Sequence, residues 1–202
     1  KLGFGFVEVG TITPLKQYGN PKPRVFRLVE DEALINRLGF NNLGAENIIK
    51  KIKSNKKIGT LGINIGPNKD TEDKILDYLK CLKIFHKEAD YITINISSPN
   101  TENLRNFHNQ DQLNNLLKNI QTEKEKLDIS VPIVLKVSPD ISDHEIDEIS
   151  QILLNNDVEG LIISNTSDSS RDSLTNIQKH QKGGLSGKPI ETKSTILIQK
   201  FY

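Results

Sequence analysis

Five short runs rich in β-branched and aliphatic residues punctuate the chain: Phe6–Thr13, Gly59–Ile65, Tyr91–Ile96, Pro132–Val137 and Leu161–Ile163. Ile-Thr-Ile-Asn-Ile in the third alternates in part. The apolar stretches in the fourth and fifth are nearly unbroken, which predicts strands buried on both faces of a parallel sheet. Between these runs the apolar positions fall into helical spacing. Asp73–Lys87 sets Ile75, Leu76, Leu79, Leu82 and Ile84 on one side, and Gln112–Leu127 does the same with Leu113, Leu116, Leu117 and Ile120. Ser142 and Glu145 form a capping-box pattern opening a helix that carries Ile146, Ile149, Ile152 and Leu153. Strand and helix therefore alternate from about residue 59 to 163, which predicts βα units. Their repeat of roughly 30–40 residues matches the unit of an eight-fold parallel β/α barrel. A doubly wound open sheet is the rival, but its Gly-x-Gly-x-x-Gly turn is absent, and Gly3-Phe-Gly5 precedes a strand instead of opening a helix.

Composition narrows the function more than the fold. The 27 Lys and Arg nearly balance the 26 Asp and Glu, so a net charge of +1 gives no electrostatic reason to expect nucleic acid. One cysteine, Cys81, excludes an internal disulfide and a multi-cysteine metal site; in mid-helix it reads as a small core residue. No His-x-x-x-His spacing occurs, and no metal is expected. His86, His108, His144 and His180 all read as solvated surface residues. No apolar run approaches the roughly 18 residues that a membrane span needs. The sequence opens on Lys1 and contains no methionine, so a processed or truncated start is expected.

Polar residues gather where the apolar strands end. The third run leads into Asn95, Ser97, Ser98, Asn100 and Thr101. The fourth contains Lys136 and leads into Ser138 and Asp140. The fifth leads into Ser164, Asn165 and Thr166, and the second holds Asn64. In a barrel these ends converge on one mouth, where catalytic groups sit. Any one of them could be an ordinary hydrogen-bonded turn. Four together imply a site, because polar groups left unpaired there would cost roughly 1–3 kcal/mol each. Amides dominate, offering donor and acceptor to a planar ligand with ring amides and a carboxylate. Lys136, between Leu135 and Val137, either faces the mouth and stabilises an anion or snorkels to solvent. Gly183, Gly184 and Gly187 read as a loop that lets backbone approach a ligand.

In family order, seven segments resemble dihydroorotate dehydrogenases of the quinone-dependent class: Gly3–Pro14, Gly19–Leu28, Ile35–Asn42, Gly62–Gly66, Asn95–Thr101, Ser164–Thr166 and Gly184–Gly187. The resemblance implies a (β/α)8, TIM-type barrel and FMN-dependent oxidation of dihydroorotate to orotate, in pyrimidine biosynthesis, with a quinone as acceptor. It makes Ser98 the base that takes the proton from carbon 5 as hydride leaves carbon 6, with Thr101 and Phe40 flanking the proton path. The related class carries cysteine where Ser98 stands. Asn36, Asn95, Asn100, Asn165 and Thr166 would hold the pyrimidine and its carboxylate. Thr11, Asn64, Asn95, Lys136, Ser164, Ser186 and Gly187 would contact FMN. Pro67 stands where lysine is common in the family, and no reacting group is lost.

By the same resemblance residues 1–202 are part of the catalytic barrel, its second to sixth strands. The first strand, the last two strands and the amino-terminal membrane-associating helices are expected to lie outside the chain. Five strands cannot close a barrel, so the chain by itself is expected to be neither a stable monomer nor active. Peripheral attachment to a respiratory membrane, the cytoplasmic side of a bacterial inner membrane before a mitochondrial one, is expected through the amino-terminal segment. Two other functions compete with the dehydrogenase. One is a phosphate-binding barrel lyase or isomerase using Lys136 as a Schiff base; the other is a barrel remnant without catalysis.

Overall fold

The computed structural model describes residues 3–55, 59–100, 104–169 and 171–202. Five parallel strands form one sheet: β1 (Phe6–Ile12), β4 (Thr60–Ile65), β5 (Tyr91–Asn95), β6 (Ile133–Lys136) and β7 (Gly160–Ile162), in that spatial order. Each of the five expected strand runs is present. Neighbours in sequence are neighbours in space, as successive right-handed βα units require. The sheet is an open arc with β1 and β7 at its edges among the described residues, and its parallel strands and covering helices are those of the expected α/β barrel fold.

Strands β4 and β5 are buried on both faces as expected, but only one of those faces is apolar. Side chains alternate across a strand, and here the alternation separates chemistry. Ile63, Ile65, Ile92, Ile94, Ile133 and Leu135 face outward into the main core. The residues between them, Asn64, Thr93, Asn95 and Lys136, face the concave side, with Asn95 and Lys136 paired in register. Each outward Ile or Leu removed from water contributes roughly 1.5–3 kcal/mol.

The α-helices among the described residues are α1 (Ala45–Ser54), α2 (Lys74–Phe85), α3 (Gln110–Leu127), α4 (Asp143–Leu154) and α5 (Glu191–Phe201). Both halves of the expected capping box on α4 form, Ser142 to the Glu145 amide and Glu145 back to the Ser142 amide. The buried stripe of α2 runs through Tyr78, Cys81, Leu82 and Phe85, whereas Leu76, expected inward, is 44 % exposed. Cys81 is fully buried as expected, and burial pushes its thiol pKa up.

The sequence pattern did not predict a second sheet. Strands β2 (Val25–Leu28), β3 (Ala33–Asn36) and β8 (Gly184–Gly187) pair antiparallel in the order β2-β3-β8. The glycine stretch expected as a loop is thus a strand. Gly187 has φ 101, and a Cβ there would lie 2.4 Å from the Glu32 carbonyl oxygen. This small sheet has its own core of Phe26, Leu28, Ile35, Leu174 and Leu185. It carries Asn36 to the mouth of the parallel sheet.

Candidate active site

The carboxyl ends of β1, β5, β6 and β7 and the end of β3 enclose a cavity of about 290 Å³. Its walls include Thr11, Asn36, Phe40, Asn95, Ser98, Asn100, Lys136, Asn165 and Thr166. Nine residues singled out in the sequence therefore meet in one place. Thr101 lies outside the described residues. Asn64 sits next to the cavity, joined to its wall through Thr11. Ser164 turns aside, with its hydroxyl 3.2 Å from the Asn165 carbonyl and 3.4 Å from the Ser194 hydroxyl. Ser186 and Gly187 do not line the cavity; the Ser186 hydroxyl donates to the Leu34 carbonyl within the small sheet.

Local backbone explains how Phe40 enters the wall. It holds a left-handed conformation, φ 52, which is uncommon outside glycine. Asn42 supports the turn, its Nδ2 donating to the Phe40 carbonyl at 2.8 Å and its Oδ1 accepting from the Gly44 amide at 2.8 Å. Gly66 makes the room opposite, since a Cβ there would stand 2.7 Å from Thr11 Cγ2 and 3.1 Å from the Phe40 ring.

A one-way chain of hydrogen bonds sets the polar groups of the concave face. The Thr166 amide donates to Asn165 Oδ1 (2.7 Å) and Asn165 Nδ2 donates to Ser97 Oγ (2.9 Å). Ser97 Oγ donates to Asn95 Oδ1 (2.9 Å) and Asn95 Nδ2 to Thr11 Oγ1 (2.9 Å). Thr11 Oγ1 donates to Asn64 Oδ1 (2.8 Å) and Asn64 Nδ2 to Glu8 Oε1 (2.9 Å). Both ends dictate the same direction, because a backbone amide can only donate and a carboxylate can only accept. Thr93 donates to the other Glu8 oxygen at 2.8 Å. Tyr91 also bonds Glu8, and burial together with that charge pushes its phenol up to about 12, keeping it a donor.

The chain consumes the carbonyls of Asn64, Asn95 and Asn165 and leaves amide hydrogens over. Each carboxamide has two N–H groups. One remains on each of Asn95, Asn165 and Asn100, and both remain on Asn36, whose Nδ2 has no partner among the described residues. Lys136 likewise has no hydrogen-bond or ion-pair partner among the described residues, and no carboxylate lines the cavity. Ser98 is 5 % exposed, and its Oγ accepts the Asn100 amide at 3.2 Å. The cavity thus combines surplus donors, a free ammonium and one buried hydroxyl, a set suited to an acceptor-rich anion.

Around the rim the chemistry is ionic. Arg105 bonds Asp140 at 3.2 Å and Asp168 at 2.6 Å, and Lys193 bonds Asp140 at 2.5 Å. Burial opposes the Asp140 charge, but hydrogen bonds from Lys193, Ser167 and Asp168 outweigh it and hold the carboxyl well below the usual carboxylate range. His108, expected on the surface, is 3 % exposed and correspondingly different. Burial pushes its pKa down to about 4, and neutral Nε2 accepts the Ser138 amide at 3.4 Å. Sequence reasoning also missed Glu8 and Arg105. A carboxylate inside an apolar strand run was the available signal for Glu8; Arg105 offered none.

The model of the family described as dihydroorotate dehydrogenase matches residues 1–202. The quinone-type dihydroorotate dehydrogenase of Idiomarina loihiensis is 50 % identical over 205 residues, covering 98 % of this chain and 61 % of that protein. That of Bartonella tribocorum is 49 % identical, covering 99 % and 57 %. Among solved structures, the ligand-free enzyme of Eimeria tenella superposes with a TM-score of 0.95 at 39 % identity, covering all of this chain and 63 % of that one. The same enzyme with ferulenol gives 0.94 at 38 % identity, covering 99 % and 60 %. The chain thus spans about six tenths of the length of these relatives. A chain matched from end to end by the family model, and half identical to a quinone-type relative, belongs to the dihydroorotate dehydrogenase family.

Proposed function

We propose that the whole protein oxidises dihydroorotate to orotate for pyrimidine biosynthesis, with FMN as cofactor and a quinone as final acceptor. The observation that carries this reading is the cavity itself: surplus amide N–H groups, and Lys136 without a partner among the described residues, beside buried Ser98. Orotate is a planar anion whose ring carbonyls and carboxylate need those donors, and the same groups fit the carbonyl edge of a flavin. Bound there, FMN would supply the two-electron oxidation chemistry that the conversion of dihydroorotate to orotate requires.

The remaining roles fall to the protein's own side chains. Asn36, Asn95, Asn100, Asn165 and Thr166 orient the pyrimidine and its carboxylate. Thr11, Asn95 and Lys136 hold the flavin, with Asn64, Ser164 and the backbone of Ser186 and Gly187 as further contacts on family resemblance alone. Ser98 Oγ takes the carbon 5 proton. A serine hydroxyl is intrinsically a weak base, so the proton must leave it along a path walled by Phe40 and, from the family pattern, Thr101. Ser98 is itself buried, which shields its hydroxyl from bulk water. Lys136 places positive charge where negative charge collects on oxidation, a form of electrostatic stabilisation worth several kcal/mol in a dry site.

We further propose peripheral association with the cytoplasmic side of a bacterial inner membrane through a segment outside this chain. No helix among the described residues is long and apolar enough to cross a membrane. The test of the function is anaerobic mixing of the full-length protein with dihydroorotate. Bleaching of the flavin with release of orotate is expected; a flavin-loaded protein that stays oxidised would overturn the reading.

A further inference from the structure

We propose that Arg105 is the positioning residue for Ser98, acting as a four-point clamp on the strand-end loop that carries it. The inference rests on the reading of Ser98 as the base. Arg105 Nε donates to the Ser97 carbonyl at 3.2 Å. That oxygen belongs to the peptide group joining Ser97 to Ser98, so fixing it fixes the plane from which the Ser98 side chain departs. The Ser98 hydroxyl itself accepts from the Asn100 amide at 3.2 Å, a bond within the same loop that does not tie it to the neighbouring strands.

The other arms of the guanidinium reach the neighbouring strand ends. Nη2 donates to the Thr166 carbonyl at 3.2 Å, one residue past Asn165. Nη1 bonds Asp140 after β6 and Asp168 after β7. Asp140 in turn accepts from Ser167 Oγ at 2.5 Å, from the Asp168 amide at 2.9 Å and from Lys193 of α5 at 2.5 Å. The proton acceptor and the Asn165 amide are thereby tied to one rigid group, so their separation cannot drift independently. Only a planar fork can span two carbonyls and two carboxylates at once; a lysine ammonium offers one point charge. The cluster holds two positive and two negative side chains, so the clamp adds no net charge beside Ser98.

The test compares full-length flavin-loaded wild type with Arg105→Gln, Arg105→Lys and Asp168→Asn. Anaerobic stopped flow measures flavin reduction by dihydroorotate and by its 5-deuterated form; orotate affinity, flavin content and melting temperature are measured alongside. A base displaced by about 1 Å should slow reduction by roughly ten- to hundredfold in Arg105→Gln. The carbon 5 isotope effect should rise, because proton removal becomes more limiting, while flavin content stays at the wild-type level. Arg105→Lys should recover part of the rate, and Asp168→Asn should lose less than Arg105→Gln. Wild-type reduction rates in Arg105→Gln would overturn the proposal, as would rate losses with an unchanged isotope effect. Should Arg105→Gln fail to fold, Asp168→Asn decides: a slower rate with a raised isotope effect supports the clamp, and a wild-type rate refutes it. A wild type that dihydroorotate cannot reduce would instead sink the functional reading itself.

Discussion

The hydrogen-bond chain from Thr166 to Glu8 on the concave face is built of neutral amides and hydroxyls up to its carboxylate end, whereas the rim a few residues away is held by Arg105, Lys193, Asp140 and Asp168. The difference follows burial. Asn64, Thr93, Asn95 and Ser97 are each no more than 4 % exposed, where an isolated charge would lose several kcal/mol of hydration. Dipoles there cost little where they are paired, and aligning them in one direction pairs the carbonyl oxygen of each amide in the chain. At the rim the side chains of Arg105, Lys193 and Asp168 are 23, 40 and 52 % exposed, so ion pairs retain part of their water. The interior thus fixes which atom each amide presents to a ligand, while the rim fixes where the strand ends stand.

The sharpest test of this division lies at Ser98, whose hydroxyl belongs to neither network. Ser98→Ala should slow flavin reduction by roughly a hundred- to ten-thousandfold while orotate binding and melting temperature stay near wild type. A stopped-flow rate equal to wild type would remove Ser98 from the proton step. Next in size is the end of the interior chain. Glu8→Leu strands the Asn64 and Thr93 donors, at roughly 1–3 kcal/mol for each buried group, and denaturant titration should show that loss. Glu8→Gln, which still accepts from Asn64, should lose much less. Equal stability of Glu8→Leu and wild type would mean that the chain does not depend on its carboxylate end.

His108 separates the two regions by pH. Its folded pKa is lowered from 6.5 to about 4, chiefly by burial, so between those values the unfolded chain holds the proton more readily. Stability is therefore fully present above pH 6.5 and declines as pH falls towards 4, by up to about 3 kcal/mol. His108→Gln should flatten that part of the profile. Asp140 has the opposite chemistry but the same sign: its depressed pKa keeps its contribution intact above the ordinary carboxylate range and loses it only in stronger acid. The smallest effect is expected outside both regions. Lys188 pairs with Glu32 in full solvent, their side chains 64 and 66 % exposed, and Lys188→Ala should leave the melting temperature unchanged.

Much of the fold was legible along the chain, because the features concerned are local. Each of the five apolar runs became a strand, and the Ser142–Glu145 capping box formed. The small sheet was not legible. Its strands are four residues long, too short for a period to register, and β3 finds β8 some 150 residues away. Helix α5 was missed because its apolar positions do not form a buried stripe: Leu197 is 4 % exposed, but Ile196 and Ile198 are 46 and 49 % exposed. His108 was misplaced because a histidine in a polar stretch carries no mark of the helices that cover it.

The site divides along the same line. Residue type by itself determined that Asn95, Asn100, Asn165, Ser98 and Lys136 were candidates, since uncompensated polar groups at the ends of buried strands demand a purpose; family resemblance supplied one and added Asn36. Only the tertiary structure decided what those side chains present. The direction of the hydrogen-bond chain depends on Glu8 and the Thr166 amide, which are far apart in sequence and joined solely by the curvature of the sheet. The Arg105 clamp likewise exists only where three strand ends converge. Sequence periodicity reports which face of an element is buried; which partner a buried donor meets is a property of the assembled fold.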